Sequence, residues 1–161
     1  MNDLYQIAAA FKIPFQKVLD AFNRIKTPPM TKIEKWAYAI RAHEGWYNTS
    51  RSYRNNSPGN VKYHEGGYLP KYGNVRKDDA GFAIFPTYEQ GWLYLINSLS
   101  QWCRIGGANG RYYPNMTIMQ WAHAYCEDDP RTKEDDRVVY AHVVAKDLGV
   151  SVDTPIKSLI N

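Results

Sequence analysis

The sequence predicts an α+β domain that is mainly α-helical, carrying a small β-lobe of about three short strands and preceded by an N-terminal helical hairpin. Three observations carry this reading. Ser/Thr-x-x-Glu/Gln tetrads stand ahead of apolar stripes at helical spacing, a glycine- and asparagine-rich interval fills the middle of the chain, and a Pro-Pro break lies near residue 29.

Before that break, Leu4, Ile7, Ala8 and Phe11 form one apolar stripe, and Phe15, Val18, Leu19, Phe22 and Ile25 a second, with Pro14 suited to a first helical turn. Thr27-Pro28-Pro29-Met30 interrupts the pattern. Residues 1–29 are therefore an accessory hairpin and residues 30–161 one domain.

Thr31-Lys-Ile-Glu34 has the form of a capping box, so a helix of about 13 residues should follow, turning Ile33, Trp36, Ala37 and Ile40 inward and stopping at Gly45. Glu44 lies 11 positions after Ile33, and 11 steps of 100° return to within about 20° of the same direction. A carboxylate thus sits on the apolar face at a helix end.

Between Gly45 and Gly81 the texture changes to six of the 11 glycines, five of the 13 tyrosines and Asn48, Asn55, Asn56, Asn60 and Asn74. Residues 61–63 and 68–70 flank His64-Glu-Gly-Gly67 as an expected hairpin, and Phe82-Ala-Ile-Phe85 reads as a third strand. An interval this long between helices is usually functional. Helices resume at Thr87-x-x-Gln90, with Trp92, Leu95, Ile96, Leu99 and Trp102 on one stripe, and at Thr117-x-x-Gln120, with Ile118, Trp121, Ala122 and Tyr125. The three tryptophans read as core. A polar turn is expected over 126–130, a helix from Lys133 to Leu148 stopped by Gly149, and a last short one opened by Thr154-Pro155.

Composition bounds the function. With 161 residues, 44% hydrophobic and 22% charged, and no apolar run near the ~18 residues of a membrane span, the chain reads as folded and not membrane-inserted. Its net charge of +4 favours an anionic partner, and 14% aromatic residues provide flat rings that suit sugars or bases. Cys103 and Cys126 have neither metal-ligand nor redox spacing and read as two buried thiols. His43-Glu44 lacks the second histidine of a zincin helix, and His123-x-x-Cys126 has no partner pair. Neither a metal nor another cofactor is expected. The start, Met1-Asn-Asp-Leu-Tyr5, lacks the features of a secretory signal, which implies synthesis in the cytoplasm.

Three segments stand out: Ala39-Ile-Arg-Ala-His-Glu44-Gly-Trp46, Arg51-Ser-Tyr-Arg-Asn-Asn-Ser-Pro-Gly-Asn60, and Ala80-Gly-Phe-Ala-Ile-Phe85 running into Glu89-Gln-Gly-Trp92. In these segments, and in Tyr140-Ala-x-x-Val-Ala-x-x-Leu-Gly-Val150-x-x-Asp-Thr-Pro, the chain resembles lysozyme-like peptidoglycan hydrolases (muramidases) of phage and prophage type, over roughly residues 31–161. The resemblance implies a lysozyme-like fold, glycan strands of peptidoglycan as substrate, and cleavage of the β-1,4 bond between N-acetylmuramic acid and N-acetylglucosamine, with Glu44 as proton donor. It also implies a protein made in the host cytoplasm that acts on the wall or periplasm, as a virion component or after release, working as a monomer; residues 1–29 lie outside the resemblance and read as an accessory segment open to a virion partner. The residues themselves point the same way for Glu44: desolvation and the negative end of the helix dipole both disfavour its anion. A carboxyl group kept protonated near neutral pH is what protonating a glycosidic oxygen requires.

Trp46 and Tyr47, just past Glu44, are candidates for stacking on sugar rings. Arg54 and the asparagines offer donors for N-acetyl and hydroxyl groups, although Asn-Asn and Gly-Asn also form turns. In the family this segment pins the catalytic helix to the β-lobe, which implies scaffolding by Asn55 and Asn56 and a cleft role for Tyr53 or Asn60. Tyr125 ends its helix with a hydroxyl that faces the acid in related folds. A second carboxylate would come from Glu65, Asp78 or Asp79, none of which is singled out by spacing. Lytic transglycosylases manage with one acid, but their Glu-Ser pair and Gly-Leu-Met-Gln segment are missing and Gly45 replaces the serine, so hydrolysis is favoured.

Two rivals come from other classes. Ile7-Ala-Ala-Ala10, Ile13, Val18 and Phe22 are spaced like a helix-turn-helix, yet Lys17 and Arg24 beside Asp20 are too few cations for a nucleic-acid partner. The other is a non-catalytic wall-binding or virion structural protein on the same fold.

Overall fold

The computed structural model describes residues 30–107, 110–126 and 133–160; the hairpin expected over 1–29 and most of the polar turn expected over 126–130 lie outside them. The chain divides into two compact units, Met1–Thr31 and Lys32–Asn161. The second is mainly helical with a small antiparallel sheet. Its elements are helix α1 (Lys32–His43), the one-turn helix α2 (Arg51–Arg54), strands β1 (Arg76–Lys77) and β2 (Ala83–Ile84), and helices α3 (Tyr88–Arg104), α4 (Ile118–Cys126) and α5 (Glu134–Leu148). Two 3₁₀ turns, Pro70–Tyr72 and Ile156–Leu159, complete them.

The helices start where side chains replace the missing intrahelical partners of the first N–H groups. Thr87 Oγ1 accepts from the Gln90 N–H at 3.3 Å. At α4 the box is reciprocal, with Gln120 N–H on Thr117 Oγ1 at 3.2 Å and Thr117 N–H on Gln120 Oε1 at 2.9 Å. Helix α5 ends at Gly149, whose φ of +68° is left-handed and natural to glycine.

The apolar stripes meet in one core. Trp36 and Ile40 of α1, Leu95 and Leu99 of α3, Ile118 and Trp121 of α4, Tyr140 and Val144 of α5, and Ile156 of the last turn are all buried together. Trp36 and Trp121 meet edge to face with ring centroids 4.8 Å apart. Helix α1 packs on both α3 and α5. Of the tryptophans expected in the core, Trp121 is fully buried while Trp92 and Trp102 are half-buried at its edge. Cys103 is buried as expected, whereas Cys126 is half-buried because it closes α4 at the rim.

The β region departs from expectation. Residues 61–63 do not pair with 68–70, although the Gly67 N–H closes a turn on the His64 carbonyl at 3.1 Å. Pro70 has no N–H for a ladder, and its fixed φ suits the first position of the 3₁₀ turn that it opens. The two strands of the sheet are instead Arg76–Lys77 and Ala83–Ile84, with Arg76 opposite Ile84 and Lys77 opposite Ala83. The segment at Lys62 lies along the other side of β2 through a bridge to Phe82, with Ala83 N–H on Val61 O and Tyr63 N–H on Gly81 O, both at 2.9 Å. Tyr72, Ala83 and Phe85 form a small second core with Val61, Tyr68 and Tyr94 around it.

One contact ties this region to the helices. A Cβ on Gly91 would lie 1.8 Å from the Asn56 carbonyl oxygen, so α3 and the Asn55-Asn56 loop touch backbone to backbone.

Candidate active site

Glu44 is placed by the way α1 ends. Its N–H still donates to Ile40 O at 2.9 Å, and the next residue, Gly45, turns the chain away at φ +70°. Ser50 caps α2 by accepting the Tyr53 N–H at 3.2 Å. The Ser52 hydroxyl lies 2.9 Å from Ser50 Oγ and donates toward the carbonyls of Glu44 at 3.3 Å and Gly45 at 3.4 Å. These contacts satisfy carbonyls that the helix end leaves open, and they fix the backbone behind the glutamate.

The asparagine-rich loop divides its labour. The Asn55 carbonyl accepts the Phe85 N–H at 2.8 Å, while its side-chain amide donates to Asp78 Oδ2 at 2.7 Å. The Asn56 amide donates to the carbonyls of Phe85 at 3.1 Å and Pro86 at 3.3 Å. Both therefore bind the loop to β2 and the start of α3. Asn60 shares the left-handed backbone of Asn56, at φ +45° against +50°, but it reaches elsewhere: its N–H donates to Ser57 O at 2.7 Å, and its side-chain amide donates to the Glu44 carboxyl group. Asn60 Oδ1 is buried without a hydrogen-bond partner among the described residues.

Two tyrosines complete the surroundings of Glu44. The Tyr125 hydroxyl donates to Gly59 O at 2.6 Å, next to Asn60. The Tyr140 hydroxyl is buried without a partner among the described residues, and its ring stacks on His43 with centroids 3.8 Å apart. Burial first, and then the nearby Glu44 charge, push both phenols well above their ordinary range. Burial also raises the Glu44 carboxyl to about 7, opposed only in part by the Asn60 hydrogen bond. Among the described residues Glu44 has no ion pair. Its carboxyl group is thus half protonated near neutral pH, beside an amide donor and next to buried phenols.

Asp78 has the opposite environment. Burial alone would raise it, but the Phe82 N–H at 2.8 Å, the Asn55 amide, the Ala80 N–H at 3.0 Å and the Arg51 guanidinium at 3.8 Å hold it below its usual value. Every one of these contacts fastens the turn between β1 and β2 or joins it to α2 and the asparagine loop. Glu65 and Asp79 are exposed.

Of the aromatic candidates, Trp46 is half-buried between Tyr53 and Tyr88, at centroid distances of 5.2 and 5.1 Å. Tyr47 and Tyr53 are 61% and 44% exposed, which leaves their ring faces open to a ligand. The Arg54 guanidinium donates to the Thr49 carbonyl and so serves its own turn. Tyr88 and Tyr140 were not singled out as site residues from the sequence. Tyr88 holds Arg41 through its hydroxyl at 3.0 Å and extends the ring surface that begins at Trp46. The signal for Tyr140 was its place in the C-terminal motif, which carries no hint of the glutamate it faces.

No family model, no curated protein and no solved structure matches this chain.

Proposed function

We propose that the protein is a peptidoglycan-degrading glycosidase with a lysozyme-like fold, and that Glu44 is the general acid in cleavage of the β-1,4 bond between N-acetylmuramic acid and N-acetylglucosamine. One observation carries the reading: a carboxyl group raised to about 7 by burial, held by Asn60 at a helix end, beside exposed rings. Such a group can lend its proton to the leaving glycosidic oxygen at neutral pH, where an ordinary glutamate is already ionised. Trp46, Tyr47 and Tyr53 supply faces on which pyranose rings stack, and Asn60 orients the acid through its amide. Hydrolysis then needs water to reach the anomeric carbon.

A second reading is favoured by one specific observation, the full engagement of Asp78 by structural donors. If no β-lobe carboxylate serves as base or nucleophile, the sugar's own C6 hydroxyl can attack, with Glu44 first acid and then base, to give a 1,6-anhydro end. Mass spectrometry of muropeptides released from purified sacculi decides between them. Reducing ends are the expected result, 1,6-anhydro ends establish the second reading, and no release of muropeptides by the folded protein overturns both.

A further inference from the structure

The small sheet has an outer face that the chemistry at Glu44 does not use. Ala83 is fully buried, so the residues on either side of it in the strand, Phe82 and Ile84, point to the opposite face. Residues directly opposite in a ladder share a face, which brings Lys62 beside Phe82 and Arg76 beside Ile84. Arg51 joins them from α2, its guanidinium 4.2 Å from the centre of the Phe82 ring, while the Lys62 ammonium stands 3.8 Å from that ring. Three cations are thus gathered on one face, two of them against a single ring, and among the described residues Asp78 forms an ion pair with Arg51. Bringing like charges together in this way is unfavourable without an anion to share.

The position of the face matters as much as its charge. Arg51 precedes Ser52, whose hydroxyl binds the Glu44 carbonyl, so the cationic face begins one residue from the backbone that positions the acid. On the glycan proposed as substrate, every N-acetylmuramic acid carries a peptide that bears carboxylates, and these project from the sugar strand to the side of the scissile bond. We propose that Arg51, Lys62 and Arg76 form a docking surface for the stem-peptide carboxylates of peptidoglycan, selecting peptide-bearing strands over bare glycan. The inference rests on the glycosidase reading for the identity of the strand, and it adds a second recognition element to it.

Binding by the full chain carrying Glu44→Gln tests the surface without cleavage. Two soluble probes of matched length are compared: uncross-linked strands that retain their stem peptides, and the same strands stripped by an amidase. The expected result is at least about tenfold tighter binding to the peptide-bearing strands at low salt, a preference that shrinks as salt is added. Adding Lys62→Gln and Arg76→Gln together should abolish the preference without lowering the melting temperature by more than a few degrees, and Lys62→Arg with Arg76→Lys should restore it. Equal binding of both probes overturns the proposal, as does a preference that survives the double neutral variant or tighter binding to a DNA duplex than to peptide-bearing strands. A wild-type chain that binds with this preference but releases no muropeptide would instead sink the glycosidase reading and leave the surface standing.

Discussion

Two carboxylates, one in each part of the domain, are treated in opposite ways. Glu44 closes a core helix, loses water to surroundings that include Tyr125 of α4 and Tyr140 of α5, and receives an amide donor from Asn60, so its proton is retained to about 7. Asp78 sits in the β-lobe turn and receives two backbone N–H groups, an amide and a guanidinium, so it remains an anion. The helical region keeps a carboxyl group protonated by withholding partners. The β-lobe makes a structural one by supplying them.

If Glu44 is the proposed general acid, the largest effect should come from removing it. Glu44→Gln keeps the shape but has no proton to give, and turbidity clearing of permeabilised cells should fall at least about 100-fold with an unchanged circular dichroism spectrum. Near wild-type clearing would remove Glu44 from the chemistry. The structural member should behave in the reverse manner: Asp78→Ala leaves its donors unpaired and should lower stability by about 1–2 kcal/mol in urea melts, while activity per folded molecule changes less than about tenfold. A loss of activity like that of Glu44→Gln, with little loss of stability, would show Asp78 to be the second catalytic carboxylate.

The pH dependences should also diverge. Glu44 binds its proton more tightly folded than unfolded, so between its ordinary pKa of 4.5 and about 7 the folded state loses stability as pH rises. Above that range Glu44→Gln should be more stable than wild type by on the order of 3 kcal/mol, an advantage that vanishes toward pH 4. On the proposed reading the same proton is the one transferred, so wild-type activity should decline as pH rises through about 7. Asp78, lowered on folding, contributes stability that is present at neutral pH and lost as pH falls below about its ordinary 3.8. Thermal melts at pH 3, 5 and 8 check both signs.

The smallest effects separate the two tyrosines near Glu44. Tyr125→Phe removes the hydroxyl bound to Gly59 O and should cost about 1 kcal/mol, whereas Tyr140→Phe removes an unpartnered buried hydroxyl and should be neutral or slightly stabilising. Equal losses in urea melts would mean that Tyr140 has a partner in solution.

The helices were legible because their signals are local. The tetrad at Thr117 contains both partners of its box, and the 11-residue interval from Ile33 places Glu44 on the apolar face whatever surrounds it. The β-lobe was not, because its strands are set by partners distant in sequence. Arg76 and Lys77 are exposed, charged and only two residues long, and nothing in them announces a strand. The pairing of residues 61–63 with 81–83 rather than with 68–70 depends on where Pro70 cannot donate and on where Gly81 turns, at φ +84°. The asparagines show the same limit. Residue type marked Asn55, Asn56 and Asn60 alike as polar loop residues, and Asn56 and Asn60 are both left-handed, but only Asn60, placed by the turn closed on Ser57, brings its amide to Glu44. Tyr140 needed the packing of α5 on α1, a contact made across about a hundred positions of chain.

The backbone contact at Gly91 has a consequence for how this sequence can diversify. Asn56 O occupies the space where any side chain at position 91 would begin, so even alanine must drive the loop and α3 apart by more than an ångström. The displaced loop is the one whose next turn carries Asn60, and so a lone methyl group on the far side of the loop would reach the acid through the chain rather than through space. Surface positions such as Glu65 can drift freely during laboratory evolution, but position 91 has one permitted letter, and libraries built on this scaffold lose little by holding it fixed.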